Sequence, residues 1–169
     1  NIPIKDIPQM TPKDFEPRGP TALLDAIGTT ITHMEHKLSD KNKNDYKVFI
    51  VILTDGFENA SQIHSRKNIK HIITEKRILG WEIIFLAANQ DAILTGSSLG
   101  IDQRSAMTYA SNTKGAAACM RNLSQAVGRS ILEVEKVVTF SKYERSTSIN
   151  PHPDNADDNA DDNADDNAD

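Results

Sequence analysis

The chain has 169 residues, long enough for one domain with a real core, and 38% of them are hydrophobic. It carries 19 Lys and Arg against 24 Asp and Glu. Eight of those Asp fall in the last 16 residues, so the net charge of −5 belongs to the C-terminal end and the remainder lacks the strong basic face of a nucleic-acid binder. A single cysteine, Cys119, excludes an internal disulfide and a Cys-based zinc site, and no apolar run approaches the roughly 20 residues of a membrane span. Neither nucleic acid nor membrane is therefore expected as a partner, and a reducing, cytoplasmic compartment is.

Residues 1–20 are punctuated by Pro3, Pro8, Pro12, Pro17 and Pro20. Ile2, Ile4 and Ile7 suggest a short edge strand there, where a missing ladder donor is tolerated. From Ala22 to about Leu38, Leu24, Ile27, Ile31, Met34 and Leu38 step by three and four, which predicts a helix with one apolar stripe. Lys37 in its last turn suits the helix dipole. Ser39 to Asp45 is a polar loop. Val48 to Leu53 reads VFIVIL without alternation, which predicts a central parallel strand buried on both faces. Thr54-Asp55-Gly56 ends it.

Ser65 then caps a helix over Arg66 to Leu79, with Ile69, Ile72 and Ile73 inward and Gly80 as the stop. Trp81 to Ala88 contains a second buried strand. Asp91 to Leu99 reads as a short helix ended by Gly100, and Met107 to Ala110 as a third strand. Asn112 caps a last helix to about Ile131, which the apolar Val134 and Val138 could extend. This alternation predicts an α/β fold: a doubly wound, mostly parallel sheet with helices on both faces and right-handed crossovers. Residues 141–153 read as a linker. Residues 154–169 repeat DNAD four times, and their like charges and lack of hydrophobes predict a disordered acidic tail without a specific Ca²⁺ loop.

Ligands of such sheets sit beyond the carboxyl ends of the strands, near the switch point. Here that place is Thr54 to Asn59, where a carboxylate can offer oxygen to a hard cation and a Thr hydroxyl from a neighbouring helix start can add a second ligand. PRGPTALLDAIG (17–28) and VILTDGFENAS (51–61) resemble the second and third metal-site loops of von Willebrand factor A-like domains. GWEIIFLAANQDA (80–92) and TYASNTKG (108–115) are similar to a bacterial and phage branch of that family. The resemblance spans about residues 1–135 and assigns residues 1–140 to a Rossmann-like domain of this type.

The resemblance implies a metal-ion-dependent adhesion site holding Mg²⁺ or Mn²⁺, with an open position for a carboxylate of a protein partner. By position, Thr21 is the Thr ligand and Asp55 the Asp ligand, with Gly56 permitting the turn. The family's Asp-x-Ser-x-Ser loop is absent from these 169 residues. Residues 1–16 match the stretch just before the Thr loop, so the domain is expected to be N-terminally incomplete, with weak metal binding by this chain alone. The missing strand would lie beside VFIVIL, so an open sheet edge prone to self-association is also expected.

Blander readings stand beside these. Thr21 could cap a helix start and Asp55 could be a turn former. Asp25 reads as a helix-capping neighbour, and Glu58 and Asn59 as a solvated loop. His33 and His36, three apart on a helix, read as a solvated face, and Cys119 as a small buried hydrophobe. No G-x-S-x-G surrounds Ser61, Ser65 or Ser97, and Gly96 to Gly100 lacks the Gly-Lys-Ser/Thr of a phosphate loop. The expected function is thus protein binding rather than catalysis. A truncated or degenerate domain without metal-dependent function is the alternative, and a nucleotide-dependent enzyme on a similar sheet a remoter one.

Overall fold

The computed structural model describes residues 4–9, 11, 19–134 and 136–151. The DNAD repeat, Ile2, Pro3, Pro12 and Pro17 lie outside the described residues. Three parallel strands form the sheet: β1 (Phe49–Thr54), β2 (Glu82–Ala88) and β3 (Ala106–Tyr109), in the spatial order β1-β2-β3. Thr54 lies beside Ala87 and Ala88 beside Tyr109, so the carboxyl ends of all three strands line up. The α/β class and the helices on both faces match the reading of the sequence. The described strands follow one another in order without a reversal, so the turn after β1 lies at the carboxyl end of a strand and not at a switch point.

One layer comprises α1 (Leu23–Leu38), α2 (Arg66–Ile78) and α3 (Ala92–Ser98). Leu24, Ile27 and Ile31 of α1 and Ile69 and Ile73 of α2 meet Ile50, Ile52, Ile83 and Phe85 in the larger core. The buried Gly96 faces Phe85 and Ala106 across the α3–sheet contact, where a Cβ would stand 3.5 Å from each, an ordinary packing distance. The opposite layer comprises α4 (Thr113–Ile131) and α5 (Lys142–Ile149). Cys119 and Ala126 of α4, with Val138 and Phe140 of the following loop, cover Ile84, Leu86 and Met107.

The strand VFIVIL corrects an expectation. Ile50 and Ile52 are buried, but Val51 is 42% exposed and Leu53 53% exposed. Their register partners Ile84 and Leu86 are fully buried under α4 and the segment carrying Val138 and Phe140. The second helical layer packs over β2 and β3 and reaches β1 only at Phe49, which leaves one face of β1 uncovered. Among the described residues β1 also has a hydrogen-bonded neighbour on one side only.

Three other expectations change. Ile4–Asp6 is a 3₁₀ turn and not an edge strand, and Ile7 is exposed. Pro8 removes a donor next to this short stretch, and a strand without a paired ladder has little to hold it. The last long helix stops at Ile131: Glu133 adopts φ 59° and reverses the chain, so Val138 enters the second core instead of extending the helix. Within the stretch read as a linker, Lys142–Ile149 is a helix with a capping box between Ser141 and Glu144. Arg129 holds the buried Glu144 through two hydrogen bonds of 2.9 and 3.1 Å, and Asn122 donates to the Glu144 carbonyl at 2.8 Å and to Ser148 Oγ at 2.9 Å. These contacts join α5 to α4. The other helices follow the sequence: Ser65, Asp91 and Asn112 cap α2, α3 and α4, and Gly80 and Gly100 take φ values of 84° and 85° beyond α2 and α3.

Candidate functional site

Helix α1 begins without a side-chain cap of its own, since Ala22 occupies that position. The loop after β1 supplies the missing acceptors. Glu58 Oε2 accepts from the Leu24 N–H at 2.9 Å, and Ser61 Oγ accepts from the Asp25 N–H at 3.1 Å. Asp25 reciprocates, accepting from the N–H groups of Gln62 at 2.8 Å, Ile63 at 3.1 Å and His64 at 2.8 Å. Glu58 also gathers its own loop, accepting from Ala60 N at 3.0 Å, Ser61 N at 2.8 Å and Ser61 Oγ at 2.8 Å. The two loops are thus laced by two carboxylates. Thr21 and Asn59 complete the seam: Thr21 N donates to Asn59 Oδ1 at 2.7 Å, and Asn59 N donates to the Thr21 carbonyl at 3.1 Å.

This corrects the reading of Glu58 and Asn59 as a solvated loop. Both are structural, because the uncapped start of α1 leaves N–H groups that need acceptors. It also corrects Thr21 as a cap, since α1 takes its acceptors from Glu58 and Ser61. The bonds show in the charge states. The Asp25 carboxyl is held below its ordinary range by the Gln62 N–H, against some burial, with help from His64 and Ile63. For Glu58, burial pushes the pKa up, but the donors of Ser61, Leu24 and Ala60 together bring it below the ordinary value.

The seam brings Thr21 to the turn after β1. Its hydroxyl lies where a Cβ on Gly56 would meet it at 3.2 Å, so the close approach depends on glycine. Thr54 Oγ1 donates to the Gly56 carbonyl at 2.9 Å and shapes the turn. The end of β2 buttresses it: Gln90 Nε2 donates to the Gly56 carbonyl at 3.0 Å, and Asn89, at φ 58°, donates to the Asp55 carbonyl at 3.4 Å. Asp55 is exposed, and its charge is felt by Tyr109 at the end of β3. The Tyr109 hydroxyl is pushed up mainly by burial, then by Cys119 and Asp55.

The oxygens of these loops divide into two sets. Those of Asp25, Glu58, Asn59 and Ser61 are committed to the scaffold. The Thr21 hydroxyl and the Asp55 carboxylate have no hydrogen-bond or ion-pair partner among the described residues. Among those residues no three His, Cys, Asp or Glu side chains cluster closely enough to share a metal ion. His33 and His36 are exposed on α1. A cleft of about 250 Å³ opens beside Glu58, with the exposed Phe57 and Leu94 on its rim.

No signal in the sequence pointed to Glu58 or Asp25 as the braces of the site. The bonds that join the two loops link residues 34 to 39 positions apart, beyond the reach of any local pattern. No protein-family model matches the chain, and no curated protein or solved structure is significantly similar to it. No helix among the described residues is long and apolar enough to cross a membrane.

Proposed function

We propose that the chain is a protein-binding module of the von Willebrand factor A-like type, with Thr21 and Asp55 contributing two oxygens to a divalent-cation site. The observation that carries this reading is the division of oxygens at the strand ends. Both residues that the family resemblance selects keep uncommitted oxygens, while the neighbouring carboxylates Asp25 and Glu58 are spent on bracing their loops against each other. Bound Mg²⁺ or Mn²⁺ would offer an open coordination position to a carboxylate of the partner. One carboxylate and one hydroxyl fit part of such a site, because Mg²⁺ keeps several waters and accepts one or two protein carboxylates. The remaining oxygens would come from other residues or another chain. Glu58 and Asp25 orient the ligands by holding the two loops in register, and Gly56 admits the Thr21 hydroxyl. The exposed Phe57 and Leu94 beside the turn, and Val51 and Leu53 on β1, suit contact with another protein.

Calorimetric titration with Mn²⁺ and Mg²⁺ tests this on the chain itself. Binding is expected with a dissociation constant on the order of 1 mM, comparable to weak extracellular cation modules. Asp55→Ala should abolish it, and Thr21→Ala should weaken it about 10-fold, the equivalent of one hydrogen-bond-sized interaction. The alternative is a degenerate domain that kept the braces and lost the metal function. It is favoured by the commitment of Asp25 and Glu58 to backbone donors. Absence of any binding heat, or equal heat in Asp55→Ala, would decide for it.

A further inference from the structure

A second cavity, of about 500 Å³, opens at the other end of the sheet, where Val48 and Trp81 lead into β1 and β2. The six residues of β1 put it about 20 Å from Asp55. Its volume lies within the range of small-molecule sites. Leu38, Tyr46, Val48 and Trp81 give it an apolar, partly aromatic floor. Its charged lining is unbalanced, with Lys41, Lys43, Lys47 and Lys76 against Glu35 alone. Asp40 and Asp45 of the same loop are not among the lining residues.

The four lysines are not equivalent. Lys76 is buried, ion-paired with Glu35 and set over the Trp81 ring at 5.8 Å. Lys47 donates to the Ser130 carbonyl at 3.2 Å and faces Glu133 at 3.5 Å. Lys41 and Lys43 have no partner for their ammonium groups among the described residues. The loop that carries them contains a 3₁₀ turn, Lys43–Asp45, capped by Asn42. An apolar floor next to two uncommitted cations matches a ligand with one flat apolar side and one anionic end. A neutral apolar ligand would leave the lysines unused, and a bare anion would leave the floor unused.

We propose that this cavity binds a planar aromatic anion, of the class of aryl or heteroaryl monophosphates. The ring would lie against Tyr46 and the Trp81 edge, and the phosphate would face Lys41 and Lys43. The site is independent of Thr21 and Asp55. Trp81 is the single tryptophan of the chain, so its indole N–H resonance and its fluorescence report on this cavity alone.

The test is a titration of the full chain with adenosine monophosphate, adenosine and inorganic phosphate, read by the Trp81 indole resonance and by fluorescence excited beyond adenine absorption. The monophosphate should give a saturable shift. Adenosine should bind about 10-fold more weakly, and phosphate alone should leave the indole unmoved. The double substitution Lys41→Ala, Lys43→Ala removes two exposed charges and should weaken the monophosphate about 3- to 10-fold. Asp55→Ala should change nothing. The proposal is overturned if no saturable shift appears, if adenosine matches the monophosphate, if phosphate alone reproduces the shift, or if the double variant binds as the parent does.

Discussion

Glu58→Gln is the most discriminating perturbation of the candidate site, because it preserves shape and removes only charge and one acceptor. The carboxylate accepts four hydrogen bonds, two at each oxygen. An amide nitrogen placed at Oε1 would face two backbone donors, Ala60 N and Ser61 N. Placed at Oε2 it would face Leu24 N and the Ser61 hydroxyl, which can turn to accept. The second orientation costs less, so the variant loses the Leu24 bond and weakens the other three to neutral strength. A bond to a charged group contributes about 1.5–3 kcal/mol when protected, and the half-exposed position lets water replace part of it. The expected loss is about 1–2 kcal/mol, or roughly 3–6 °C in melting temperature for a chain of this size.

Its pH dependence follows from the sign of the shift. The folded pKa of Glu58 lies below its ordinary value, so its contribution is complete above about pH 4.3 and fades as pH falls through the folded pKa. Urea unfolding of parent and variant from pH 7 to pH 3 should show a gap that narrows in acid. A variant as stable as the parent at pH 7 would refute the brace, and a gap constant down to pH 3 would refute its electrostatic origin.

Gly115→Ala should destabilise the fold by about 1–2 kcal/mol by urea titration. The new Cβ would stand 2.7 Å from Ala110 Cβ and against the Ala110 carbonyl oxygen, and the overpacking exceeds the roughly 1 kcal/mol gained in helix propensity. An unchanged or raised midpoint would show that the β3–α4 turn relaxes freely. Cys119 is fully buried, and burial pushes its thiol up to about 11. Alkylation at pH 8 should therefore proceed only through unfolding, and its rate should rise in step with the unfolded fraction in urea. Rapid labelling without denaturant would contradict the packing of α4 on the sheet.

Much of the fold was legible because it depends on local pattern. The stripes Ile27–Ile31 and Ile69–Ile73, the caps Ser65, Asp91 and Asn112, and the stops Gly80 and Gly100 are each read from a few adjacent residues. The apolar runs before Asp55 and Asn89 mark the strands for the same reason. The exposure of Val51 and Leu53 was not legible, because an unbroken apolar run looks the same whether or not a helix covers its second face. Helix α5 was hidden as well: its inward residues are Glu144 and Ser148, whose burial depends on Arg129 and Asn122 of another helix.

At the candidate site the division is similar. Thr21 and Asp55 were selected by the family resemblance of their two loops, since a Thr before a helix or an Asp-Gly turn after a strand is by itself a common pattern. Which oxygens are spare was decided by tertiary structure, because Asp25 finds its donors, and Glu58 its donor at Leu24, across 34 to 39 residues of sequence. The sequence by itself determined the three strands and helices α1 to α4, their order and the end of the sheet where the loops gather, since those follow from local periodicity and turn chemistry. Only the packed structure decided which carboxylates brace the site, and which face of β1 stays bare. Both depend on what lies opposite a residue in space, and no local pattern encodes that.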